Sequence, residues 1–316
     1  MGLYRSVQAV AGASGDGPID WTAVADAAKS STDSGSLALT DRQERAYATD
    51  VRDARDRVRE VADLGFDLPE TVEIQNRHHW IDANIETFER VMRPIEQQAE
   101  LMPGVARMAN TGSMAFALSF LGRNVLGQYD PLLLADGDDH ALYFVHPNIE
   151  RVAAMLAVEP DRFRRWIAFH EVAHAAEFGA APWLSDHLES NMEEAIDALT
   201  EGSLNRASLG ELDTTMTAVE GYAELVMDRA FDDEFDDLRR KLDERRGGQG
   251  PVAKLVRRLL GLGMKRRQYE RGKAFFDAVA DERGVAGASV VWDRPENLPT
   301  DDELDDPAAW LRRVEA

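Results

Sequence analysis

Two histidines and a glutamate carry the clearest chemistry in this chain: His170-Glu171-Val172-Ala173-His174. On an α-helix, residues four apart lie one above the other on the same face. His170 and His174 can therefore aim their imidazoles at one point, each nitrogen about 2 Å from a shared ion. Glu171 is rotated about 100° from His170, so it leans to the side of the pair and reaches a water on the metal instead of the metal. Two ligands and a general base form the H-E-x-x-H pattern of zinc hydrolases. The neighbours Phe169, Val172, Ala173, Ala175 and Ala176 are apolar, as a buried helix around a polar triplet requires.

A catalytic zinc takes three protein ligands and keeps a fourth position open. The 316 residues include no cysteine, so the set must be drawn from histidine and carboxylate. Glu177, Asp186, His187, Glu193, Glu194, Glu220 and Glu224 are the candidates for the third ligand. Glu177 lies on nearly the same face as His170, but its reach along the helix axis is awkward. His187 would suit H-E-x-x-H-x-x-G-x-x-H, a pattern broken here by Glu177 and Ala180. Glu220 is the better choice. It sits with Glu224 in the apolar run Thr217–Met227, and two carboxylates one turn apart on a buried face are costly unless paired or metal-bound. Gly221 is expected to let this helix approach the histidine helix closely. Glu220 is thus the expected third ligand, and Glu224 the acceptor that orients a ligand histidine through its other N–H. Tyr222, His187 and His146 are candidates to stabilise the oxyanion formed when water attacks a carbonyl; Tyr222 joins Glu171 as an expected catalytic residue.

The elements that must hold these groups are mostly helical. Asp20 precedes a short helix. Thr40 with Gln43 reads as a capping box opening a long helix that stops near Gly65, with Ala46, Val51, Ala54, Val58 and Val61 on one face. A second long helix is expected from about Asn76 to Glu100, with His78 and His79 in packing or surface roles. Residues 113–135 read as a helix and then a loop, and Ala141–Val145 is the best strand. A helix from Asp161 carries HEVAH and ends at Gly179 and Pro182. Residues 188–207 and 213–231 form two more helices, 239–250 a charged, glycine-rich hinge, and two helices follow, the second from about Met264 to Arg283. The tail adds an extended segment at Ser289–Trp292, a Thr300/Glu303 capping box and a final turn from Pro307. Four regions result: 1–36, a leader and short helix; 37–130, helical; 131–235, the metal-binding core; and 236–316, helical.

Composition narrows the function. Acidic residues outnumber basic ones 58 to 36, for a net charge of −22. Nearly all the positive charge is arginine, since the lysines are only Lys29, Lys241, Lys254, Lys265 and Lys273. Such a surface repels phosphate, which argues against a nucleic-acid partner, and suits a high-salt cytoplasm. No apolar run is long enough to span a membrane, and Met1–Val10 lacks the layout of a signal peptide. A cytoplasmic protein is the expectation.

HEVAHAAEF with Ala181-Pro182-Trp183-Leu184, then Glu220-Gly221-Tyr222-Ala223-Glu224-Leu225-Val226-Met227-Asp228, resembles a zincin-like family of metallopeptidases. Members carry a label linking them to biosynthesis of the deazaflavin coenzyme factor 420, and this chain is similar to a haloarchaeal member. Val125–Asp130, Pro147-Asn148-Ile149, Lys265–Gly272 and the tail from Leu298 to Leu311 extend the likeness over nearly the whole chain from about residue 20. The resemblance implies a mainly α (α+β) zincin-like fold with a small sheet edge and additional helical segments. It implies zinc at His170, His174 and Glu220, and a strand such as 141–145 edging the cleft, where main-chain pairing would hold an extended peptide. The Glu220/Glu224 pair is similar to that of gluzincins, although Glu220 follows His174 by 46 residues. The activity implied is zinc-dependent hydrolysis of a peptide or amide bond; the alternative is a zinc-binding scaffold or partner-binding protein with little peptidase activity.

Overall fold

The computed structural model describes residues 6, 10, 17–98, 103–131, 140–200, 206–230, 238, 240 and 266–314. Ten α-helices and one three-stranded sheet make up its regular structure: α1 (Trp21–Ser31), α2 (Asp41–Ala62), β1 (Thr71–Gln75), α3 (Arg77–Gln98), α4 (Pro103–Gly122), β2 (Gly127–Asp130), β3 (Ala141–Val145), α5 (His146–Leu156), α6 (Pro160–Ala180), α7 (Trp183–Thr200), α8 (Arg206–Ala230), α9 (Arg266–Ser289) and α10 (Pro307–Val314). The mainly helical α+β class is thus observed. No described helix is long and apolar enough to cross a membrane.

Local signals set several boundaries. Asp20 caps α1 through the Ala23 N–H, and the Thr40/Gln43 box forms at the start of α2. Asn76 Oδ1 accepts from the N–H groups of His78 and His79 at the start of α3. Pro160, which needs no N–H partner at a first helical position, opens α6. Near the C-terminus Thr300 and Glu303 form the expected reciprocal pair, and Arg313 clasps Glu303. Ser289–Trp292 is not extended: α9 runs to Ser289 and Val290–Trp292 is a 3₁₀ turn. Burial of Val291 and Trp292 in the core explains the apolar run that sequence alone reads as a strand.

The sheet order is β1-β3-β2, with β1 parallel and β2 antiparallel to β3. This corrects the expectation for 141–145. That strand is paired on both sides, so its main chain has no edge to offer a peptide. The edge strand beside the histidine helix is β2.

Helix α6 runs through the main core, packed by α2, α8, α5 and β2. Its buried residues include Phe163, Trp166, Ile167, Phe169, Val172 and Phe178 as well as the polar groups between them. A second apolar cluster joins α1, α3 and α4 through Val24, Ala27, Trp80, Ile81 and Leu118. Gly221 does bring α8 close to a neighbour, but that neighbour is α9 and not α6. A methyl at Gly221 would lie 2.4 Å from the Gly272 carbonyl carbon, and one at Gly272 would lie 2.3 Å from the Thr217 oxygen. The two glycines let the backbones of α8 and α9 cross in contact, which fixes the height of Glu220 in the core.

Candidate metal centre

The histidine pair converges as the helical spacing requires. The Nε2 atoms of His170 and His174 are 3.3 Å apart, with the rings nearly perpendicular at 81°. Two nitrogens bound about 2.05 Å from one tetrahedral ion would be separated by about 3.3 Å. A carboxylate oxygen of Glu220, from α8, completes the group, and all three ligand atoms lie within 4.8 Å of one another. Glu220 is buried, and its Oε2 has no hydrogen-bond partner among the described residues. A buried carboxylate with an orphaned oxygen, close to two imidazole nitrogens, is a donor set that suits zinc.

The two histidines and Glu171 are each held by an identifiable neighbour. Trp166, one turn before His170, stacks on its ring at 5.8 Å with an 11° interplanar angle. His174 Nδ1 lies 2.8 Å from Glu177 Oε2. Glu171 Oε2 accepts the Tyr129 N–H from β2 at 2.9 Å. The rest of the Glu171 side chain lies over Gly127, where a Cβ would come within 2.5 Å of Oε1 and 2.6 Å of Cγ. The edge strand therefore cradles Glu171, and only glycine leaves room for it.

Burial dominates the electrostatics. It pushes Glu171 up to about 7, against the opposing pull of His174 and the Tyr129 N–H. It pushes Glu220 up to about 7 as well, with His174 opposing and the charges of Glu177, Glu224 and Glu171 adding. Glu177 is held well above the ordinary carboxylate range by burial, opposed by the Ala223 backbone. The directions share one cause: each carboxylate sits in a region that excludes water.

Other expected participants are placed elsewhere. Tyr222 is two residues past Glu220, about 200° round the helix. Its hydroxyl bonds Ser289 Oγ at 2.7 Å, and its ring meets Phe276 and Trp292 edge-on. Its expected oxyanion role is therefore corrected: Tyr222 is a core residue joining α8 to α9. His146 bonds the Tyr47 hydroxyl at 3.1 Å, and His187 lies near Thr215 and Asn191. Glu224 is buried close enough to Glu220 to raise it, but the acceptor facing His174 is Glu177. The signal for Glu177 was its i, i+3 spacing from His174, which suits a side-chain contact. Gly127 and Tyr129 carried no such signal, because β2 meets α6 only through the tertiary fold.

A buried helix bearing two convergent histidines and an adjacent glutamate, with a carboxylate from a second helix, forms a group that could hold a metal ion. The model of the zincin-like metallopeptidase family matches residues 19–207 and 198–311, and the chain belongs to that family. It is also similar to a protein of Chloroflexus aurantiacus whose crystal structure is described as that of a candidate hydrolase with a novel fold. Identity is 30% and the TM-score 0.73, over 99% of this chain and 98% of that one. Comparison with curated proteins gives no match.

Proposed function

We propose that the protein is a zinc-dependent hydrolase of peptide or amide bonds, with His170, His174 and Glu220 as ligands and Glu171 as general base. The observation that carries this reading is the convergence of the two Nε2 atoms at 3.3 Å with a Glu220 carboxylate oxygen within 4.8 Å of the ligand nitrogens. Membership of a zincin-like metallopeptidase family and likeness to a candidate hydrolase support the same reaction class.

A zinc ion in this donor set would supply Lewis acidity toward water and toward a substrate carbonyl. The chain's own residues supply the proton handling. Glu171 Oε2 is fixed by the Tyr129 N–H, which leaves Oε1 to take a proton from the attacking water and return it to the leaving amine. Its burial keeps the carboxylate basic enough for that work near neutral pH. Glu224, buried in the same acidic group, is proposed to support the ligand set without binding the metal itself.

The test is to load the protein with zinc and present peptide and amide libraries. Hydrolysis should appear, and Glu171→Gln should keep the metal while lowering turnover by about 10²–10⁴-fold. Undiminished cleavage by Glu171→Gln contradicts the assignment of the base. Tight zinc binding with no turnover on any substrate favours a zinc-binding scaffold.

A further inference from the structure

We propose that Glu177 is the positioning residue that fixes His174 for the metal, a role sequence spacing gives to Glu224. The proposal rests on the reading of His170, His174 and Glu220 as zinc ligands. Glu177 Oε2 lies 2.8 Å from His174 Nδ1, and the Glu177 side chain is fully buried. When ionised, Glu177 accepts from the Nδ1–H of His174 and leaves the lone pair on Nε2. Nε2 is the nitrogen that faces His170 across 3.3 Å. With no water to compete for the bond, the plane of the ring is set before any metal arrives.

The position of Glu177 adds a second consequence. It lies three residues beyond His174 on the same helix, so folding of α6 alone brings acceptor and donor together. Its other oxygen, Oε1, is buried and has no hydrogen-bond partner among the described residues, while the Ala223 backbone of α8 lies beside the carboxylate. Glu177 is thus covered by the helix that brings Glu220. The two histidines are steadied by different devices, His170 by the stack on Trp166 and His174 by Glu177.

Two readouts on the full chain test this: zinc affinity by chelator competition, and the tautomer of His174 by nitrogen-15 NMR of the metal-free protein at alkaline pH, where Glu177 is ionised. Glu177→Ala should weaken zinc by about 10–100-fold and release His174 from the Nδ1–H form. Glu177→Gln keeps the shape and one acceptor oxygen, should give an intermediate loss, and serves where the alanine variant fails to fold. Unchanged zinc affinity together with an unchanged His174 tautomer in the glutamine and alanine variants overturns the proposal. A wild-type protein that does not bind zinc instead overturns the metal-site reading, and the tautomer measurement still decides whether Glu177 holds His174. A purely structural role for Glu177 would lower stability and leave the tautomer unmoved.

Discussion

Helix α6 carries two buried groups of charge less than two turns apart, and the fold treats them in opposite ways. In its first turns, Arg164 bonds Asp50 and Asp161 at 2.7 Å each and lies over the Tyr47 ring, while Arg165 pairs with Asp53. Every carboxylate named there faces a guanidinium. From residue 170 onward the helix meets a group of carboxylates in which, among the described residues, no arginine or lysine acts on Glu171, Glu177 or Glu220. A chain rich in arginine has cations available for such a place. It supplies two imidazoles instead, which are metal ligands when neutral. The first group is closed within the chain, whereas the second is the one proposed to take a metal ion.

The sharpest way to break that contrast is to remove a cation from the closed group. Arg164→Met should cost about 3 kcal/mol in urea unfolding, because it leaves Asp50 buried with only the longer contact to Arg165 at 3.9 Å. A loss below about 1 kcal/mol would mean that the pairing is incidental. The open group should respond to metal and pH. Raised carboxyls keep their protons in the folded state between the ordinary value of about 4.5 and about 7, where the unfolded chain has lost them. The folded state then binds more protons, so stability of the metal-free protein should fall as pH rises through that window. Zinc at about 100 times its Kd should add about 2.7 kcal/mol at pH 7.5. Thermal unfolding with and without zinc checks both signs, and a metal-free protein that gains stability over the same window would contradict the open-group description.

Gly272→Ala should cost about 1–3 kcal/mol through overpacking against the Thr217 carbonyl. It should also weaken zinc binding, since it displaces the helix that carries Glu220. The smallest effect expected is from Glu220→Gln in the metal-free protein above pH 7. It should leave stability unchanged or slightly raised, opposite in sign to Arg164→Met, because it removes one of several like charges.

Much of the ligand set was legible in the sequence because helical spacing is local. His170, Glu171 and His174 follow from i, i+4 geometry, and the Thr40/Gln43 and Thr300/Glu303 pairs from capping chemistry. What was not legible depended on contacts between distant segments. Gly127-Gln128-Tyr129-Asp130 has weak strand character by itself and becomes the edge strand because β3 pairs with it and Glu171 binds its Tyr129 N–H. Gly221 advertised a close approach without saying which helix approaches. Tyr222 carried a hydroxyl near the ligand in sequence, but helical rotation turned it to Ser289. Glu177 was visible as a carboxylate near the histidines, and only its burial against His174 showed what it touches.

The most direct measurement is anomalous diffraction at the zinc edge from crystals of the zinc-loaded protein. The expected result is one strong peak about 2 Å from His170 Nε2, His174 Nε2 and a Glu220 oxygen, with Glu171 and Glu177 outside the ligand set. A peak held by other residues, or none between α6 and α8 in protein loaded with zinc, would contradict the assignment of this centre.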